Sequence, residues 1–177
     1  MTAKGLKRGG LIKLLGKAGM KKGAEIGVAY GKFSAHICKY IPEIELICVD
    51  PWETYLLNPR ATNQRSHDEN YARAQETLKG HNVKFLKMKS LQASALVEDE
   101  YLDFVYIDGN HKFDYVMLDL ILWSRKVRKG GIISGHDYYN FRRAEVVPAV
   151  DAYVKAHKIK KWFLTDEKTP SFFWVNR

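Results

Sequence analysis

Long apolar runs, cysteine and low-complexity tracts are what this sequence has least of. No apolar stretch approaches the roughly 18 residues of a membrane-spanning helix, so a membrane span is not expected. The first 23 residues place a short apolar stretch among basic residues, but Lys13 and Lys17 interrupt it, and a signal peptide is set aside. The spacing of Leu11, Leu14, Leu15 and Ala18 predicts an amphipathic helix there instead: a basic N-terminal helix over residues 1–20, packed on the core. The two cysteines, Cys38 and Cys48, are too few for a disulfide framework and have no metal-type partner at short spacing. They read as packed free thiols, which favours a reducing cytoplasm. With no linker or repeat, the 177 residues are expected to form one domain, 1–177. Acidic residues are missing from residues 1–24, which hold seven Lys and Arg side chains, and the chain carries a formal net charge of +9. Such a surface admits a nucleic-acid or other polyanionic partner, but sparse aromatics near the basic runs leave that partner unfavoured.

What is present is an alternation of elements. "GAEIGV" reads as a strand running into a glycine turn, "KFSAHICKYI" as a helix and "IELICVD" as a buried strand. "SHDENYARAQETLKG" reads as a helix capped by Ser66 or Asp68 and closed by Gly80; "VKFLKM" is a strand and "LQASALV" a short helix. "YLDFVYIDG" is a strand and "FDYVMLDLILWSRKVRKGG" a helix closed by Gly130 and Gly131. "GIISGHDY" is a strand, "AEVVPAVDAYVKAHK" a helix that Pro148 delays or kinks, and "KKWFLTD" with "SFFWVNR" a closing strand pair. This order predicts an α/β, doubly wound, mostly parallel sheet with helices on both faces. The last connection is too short for a crossover, so the last strand should be antiparallel. Ligands in such sheets bind beyond the C-terminal strand ends. Glu25 with Gly27, Asp50, Ser90, Asp108 with His111, and His136 with Asp137 all fall at such ends.

The turn "EIGVAYG" lacks the paired glycines of a dinucleotide fingerprint and carries Glu25 two residues before Gly27. A carboxylate there repels a pyrophosphate and suits an ammonium. Asp50 follows Gly27 by 23 residues, a placement suited to ribose hydroxyls. Trp52 offers a flat face for a purine, and Ser90 could meet an adenine edge or cap the short helix that follows it.

E-x-G-x-x-x-G, an Asp closing the second strand and a terminal strand pair together resemble the class I S-adenosylmethionine-dependent methyltransferases. The resemblance spans nearly the whole chain and implies a Rossmann-like, seven-stranded sheet. It also implies an S-adenosylmethionine site at Glu25, Gly27, Ala29, Gly31, Asp50, Trp52, Ser90 and Asp108. "YIDGNH" and "GGIISGHD" are similar to the macrocin-type sugar O-methyltransferases and, more distantly, to the catechol and caffeoyl-coenzyme A O-methyltransferases. That likeness implies O-methylation of a small-molecule acceptor, sugar-like or catechol-like, with His111 as base beside Asp108. It implies a divalent metal, Mg²⁺ or Mn²⁺, at Asp108, His136 and Asp137; His136 departs from the oxygen donors of the metal-dependent relatives, and imidazole suits Mg²⁺ poorly. The absence of an N-P-P-Y or D-P-P-Y run argues against the adenine and cytosine amino-methyltransferases that use one. Methylation of RNA or another polyanion, and a catalytically silent S-adenosylmethionine-binding partner subunit, stay open, as does a homo-oligomer. The acceptor is expected to be chosen by "TYLLNPRATNQRSHDENY", with Tyr55, Arg60, Arg65 and His67. Asp119 is expected to face a helix N-terminus or a basic neighbour.

Overall fold

A computed structural model describes residues 1–54, 63–140 and 144–177. Its strands alternate with helices: β1 Thr2–Ala3, α1 Arg8–Lys17, β2 Lys22–Ile26, α2 Lys32–Tyr40, β3 Glu45–Val49, α3 Gln64–Thr77 and β4 Val83–Leu86. Next come α4 Ser90–Ser94, β5 Leu102–Ile107, α5 Phe113–Ser124, β6 Val127–Gly135, α6 Val146–Ala156, β7 Phe163–Thr165 and β8 Phe172–Val175. One sheet runs in the order β1-β7-β8-β6-β5-β2-β3-β4. Its pairs are parallel except those of β8, which is antiparallel to β6 and β7, as the short final connection requires.

The central strands are apolar on both faces, as a sheet covered on both sides demands. Phe104 and Tyr106 of β5 join Leu46, Cys48 and Ile37 in one core layer with α1 and α2. Val105 and Ile107 point the other way, into a layer with Ile26, Leu120, Trp123 and Val150. Alternation along one strand therefore supplies two cores.

Several boundaries differ from the sequence reading. The sheet has eight strands, the eighth being β1, which pairs with β7 at the edge and precedes a helix confined to Arg8–Lys17. The buried stripe of α1 is Leu11, Ile12 and Leu15, with Leu14 half exposed. Helix α3 starts at Gln64, because the Asn63 side chain accepts from the Ser66 backbone N–H and caps it. "VRKGG" belongs to β6 rather than to the end of α5; Val127 pairs with Leu102, with a register irregularity before Ile132 pairs with Phe104. Pro148 sits in the first turn of α6, where a missing N–H breaks no helical bond. No helix among the described residues is long and apolar enough to cross a membrane.

Candidate active site

Strand order reverses between β2 and β5, which lie side by side although β3 and β4 separate them in sequence. A cleft of about 1910 Å³ opens beyond their C-terminal ends. It exceeds the roughly 300–1,000 Å³ of an ordinary ligand pocket, so a cofactor and an acceptor can share it.

The first half of the cleft is the turn after β2. Gly27 has φ 91°, and a Cβ there would lie 2.2 Å from the Asp108 carbonyl oxygen, so only glycine lets β2 and β5 end this close together. Gly31, at φ 83°, precedes the first residue of α2. Ala29 also takes a left-handed φ of 49°. It is held there because Asp50 Oδ2 accepts from the Val28 and Ala29 backbone N–H groups, both at 3.0 Å. Asp50 Oδ1 accepts from the Trp52 backbone N–H at 2.8 Å. Glu25 is buried, and its carboxylate accepts from the Ser34 hydroxyl. Burial pushes its pKa up to about 8, with a small further push from Asp108 and Asp50, and the Ser34 bond and Arg8 pull against it. A neutral or barely ionised carboxyl at the cleft wall is poised to charge when a cation arrives.

Trp52 and Ser90 line this half of the cleft and are also engaged within the fold. Trp52 is fully buried; its indole Nε1 donates to the Ala29 carbonyl at 2.7 Å and its ring packs on Tyr71 and Phe85. It braces the turn from inside, at the wall of the cleft. The Ser90 hydroxyl donates to Asp119 and accepts from Trp123 Nε1 at 2.7 Å, so both roles are engaged within the fold. Ser90 is the first residue of α4 and not its cap, which is Lys89. Asp119 thus meets the helix start through Ser90, and burial raises its pKa to about 6.

The second half gathers around the ends of β5 and β6. His111 Nε2 lies 3.2 Å from Asp137 Oδ2 and 3.7 Å from Asp108 Oδ1, with no aligned hydrogen bond to either. The Asp108 carboxylate, joined by Asp137, holds the imidazole pKa above its ordinary value against the lowering effect of burial. His136 Nδ1 is 3.0 Å from Asp137 Oδ1 and 3.8 Å from Asp108 Oδ1. That contact, chiefly, keeps the Asp137 carboxyl below the usual carboxylate range. Asp137 itself has φ 57°, a strained setting for a non-glycine residue and one that turns its carboxylate toward both histidines.

The expected metal set needs revision. Asp108, His111 and Asp137 each bring one donor atom within 4.8 Å of the others, and His136 is not in that group. By spacing the three could hold an ion. By charge they do not fit one, because Asp108 Oδ2 already accepts from Arg8 Nη2 at 2.8 Å.

Arg8 was not singled out by sequence reasoning. One signal could have found it: Arg8, Leu11, Ile12 and Leu15 share the i, i+3, i+4, i+7 stripe of α1, so this cation lies on the buried face. Of the expected acceptor contacts, Tyr55 and Arg60 lie outside the described residues. His67 lines the cleft, and Arg65 pairs at 2.9 Å with Glu69 along the exposed side of α3.

Comparison with known proteins fits this geometry. Residues 24–138 match a family model described as a methyltransferase domain. An O-methyltransferase from Bacillus cereus, solved in complex with SAH, superposes with a TM-score of 0.65 at 14% identity, over 98% of this chain and 83% of that one. A candidate rRNA-methylase from Clostridium thermocellum superposes with a TM-score of 0.70 at 14% identity, over 100% of both chains. At such identities the likeness is one of fold. A 54-residue segment is 39% identical to an uncharacterized protein of Acanthamoeba polyphaga mimivirus; it is 30% of this chain and 24% of the viral one, so the match spans about a quarter of that relative.

Proposed function

We propose that this chain, which belongs to the class I S-adenosylmethionine-dependent methyltransferases, methylates a hydroxyl oxygen of a small acceptor. The observation that carries the reading is the contact between the two halves of the cleft. The glycine turn that would seat the cofactor abuts the Asp108 backbone, and the side chain of Asp108 belongs to the histidine–carboxylate cluster. The O-methyltransferase fold neighbours support oxygen as the accepting atom.

Glu25 would take the cofactor's ammonium, Asp50 its ribose hydroxyls while holding the Val28–Ala29 turn, and Gly27 would allow close backbone approach. The bound cofactor supplies an electrophilic methyl on a sulfonium. Glu25, Asp50 and the Gly27 turn would hold the cofactor while that methyl passes to the acceptor oxygen, leaving the thioether. The His111 imidazole receives the hydroxyl proton, and Asp108 and Asp137, which face its Nε2, stabilise the imidazolium that results. Most of the remaining rate comes from alignment of oxygen, methyl and sulfur, which the shared edge of the cleft favours. No step here requires a divalent metal.

The test is calorimetric titration with S-adenosylhomocysteine, followed by transfer of labelled methyl to sugars and catechols. Binding in the range of about 1–100 μM and label on oxygen are expected; roughly −8 to −5.5 kcal/mol of affinity corresponds to that range. Absence of binding sinks the reading. Binding without turnover on any acceptor would leave a silent cofactor-binding subunit. A second reading, RNA methylation, draws on the exposed Lys7, Lys13 and Lys17 along α1. Salt-dependent RNA binding and label on RNA would favour it over the small acceptor.

A further inference from the structure

Resting on the reaction centre just described, we propose that Arg8 is the resident cation of this site. Its guanidinium occupies Asp108 and keeps a divalent ion out of the Asp108–His111–Asp137 set.

Three observations support this. The first is position: Arg8 Nη2 is 2.8 Å from Asp108 Oδ2, on the same carboxylate whose other oxygen faces His111 and His136. An ion among those donors would sit a few ångströms from a fixed positive charge. The second is how the side chain is held. Its guanidinium carbon lies 3.6 Å from the centre of the Phe33 ring and 4.9 Å from that of Tyr106. Phe33 lies on α2 and Tyr106 on β5, so two core elements grip the planar cation. The third is how the backbone is held. The Arg8 N–H donates to Glu167 Oε1 at 2.6 Å, and that oxygen also accepts from the Thr165 hydroxyl at 2.8 Å. Gly5 N–H donates to Asp166 Oδ2, Asp166 N–H donates to the Leu6 carbonyl, and β1 pairs with β7. The turn between β7 and β8 therefore clamps the segment that delivers Arg8.

The residue type matters. A lysine could lose its proton to admit a metal; an arginine keeps its charge. Among the described residues Arg8 Nε is buried without a hydrogen-bond partner, so the guanidinium is held by Asp108 and the two rings. The proposal also accounts for a donor set that includes imidazole, which suits hard Mg²⁺ poorly. In this centre His111 serves proton handling and Arg8 serves charge balance.

The probe is Mn²⁺ alone, followed by electron paramagnetic resonance and calorimetry on the full chain. The wild type, Asp137→Asn, Arg8→Met, Arg8→Lys and Arg8→Met/Asp137→Asn are compared. Methionine keeps the stem packed on Phe33 and removes the charge. The wild type should leave Mn²⁺ free into the millimolar range. Arg8→Met should gain one site about tenfold tighter or more, a gain of about 1.4 kcal/mol per decade. The double variant should lose that site, and Arg8→Lys should bind less Mn²⁺ than Arg8→Met. A wild-type Mn²⁺ site that Asp137→Asn abolishes overturns the proposal whatever the variants do, as does a folded Arg8→Met that gains none. S-adenosylhomocysteine titration of the same samples keeps this outcome separate from failure of the methyltransferase reading.

Discussion

The turn from Glu25 to Gly31 is assembled largely from near neighbours in the chain, with Ser34 nine positions from Glu25 and Asp50 22 from Val28. The cluster around His111 is assembled from strangers: Arg8 and Asp108 are 100 positions apart, and Asp137 arrives from the end of β6. In the first half, backbone geometry does the positioning; Gly27, Ala29 and Gly31 have positive φ, and Asp50 holds two consecutive N–H groups. In the second half, charges position one another: two carboxylates, two imidazoles and a guanidinium in mutual contact. A locally built site holds its shape when a distant element shifts. A site built from remote charges depends on all of them, which suits chemistry that must move a proton.

Replacing His111 by Gln should separate the halves most sharply. Turnover should fall by about 10²–10⁴-fold, the usual worth of a positioned base, while S-adenosylhomocysteine affinity stays within about threefold. Steady-state assays and calorimetry on the same sample check this, and retained turnover would show that His111 is not the base. The wild-type rate should also rise as pH climbs through the raised imidazole pKa, since the base must be neutral.

Gly27→Ala should break the comparison rather than sharpen it, because this glycine belongs to both halves. Its Cβ would strike the Asp108 carbonyl, and the positive φ adds strain of about 1–3 kcal/mol. A fall in thermal stability together with lost cofactor binding is expected; normal melting with normal binding would mean that the turn relaxes freely.

The smallest effect is on pH and concerns Glu25 alone. Its folded pKa, about 8, lies above the ordinary 4.5, so the native state holds a proton that the unfolded chain releases. Stability without ligand should therefore be full below about pH 4.5 and decline as pH rises toward 8. Glu25→Gln should flatten that decline in melts taken across the range. An unchanged slope would place the titrating group elsewhere.

Much of the first half was legible in "GAEIGVAYGKFSAHI" because its geometry follows from glycine and from an acid at a strand end. Asp108, His111, His136 and Asp137 were legible for a related reason, since parallel strands bring their C-terminal ends together. Trp52 was not, because Tyr71 and Phe85, from α3 and β4, turn its ring inward. Ser90 was not, because Asp119 and Trp123 of α5 engage its hydroxyl. The strand start at Val127 was missed for want of any local breaker between "LWSRK" and "VRKGG".

By itself the sequence determined the alternation of strands and helices, and with it a parallel sheet whose strand ends share one edge, since periodicity and chain connectivity act locally. It also determined the left-handed turn, which glycine alone permits at Gly27. The tertiary structure alone decided which cation meets Asp108. Seven basic residues precede position 24, and the stripe of α1 places Arg8 on the buried face without naming its partner. Pairing of β1 with β7, the Glu167 clamp and the Phe33 ring select Arg8, because a charge so far away in the chain reaches its partner only through the packing of the elements between.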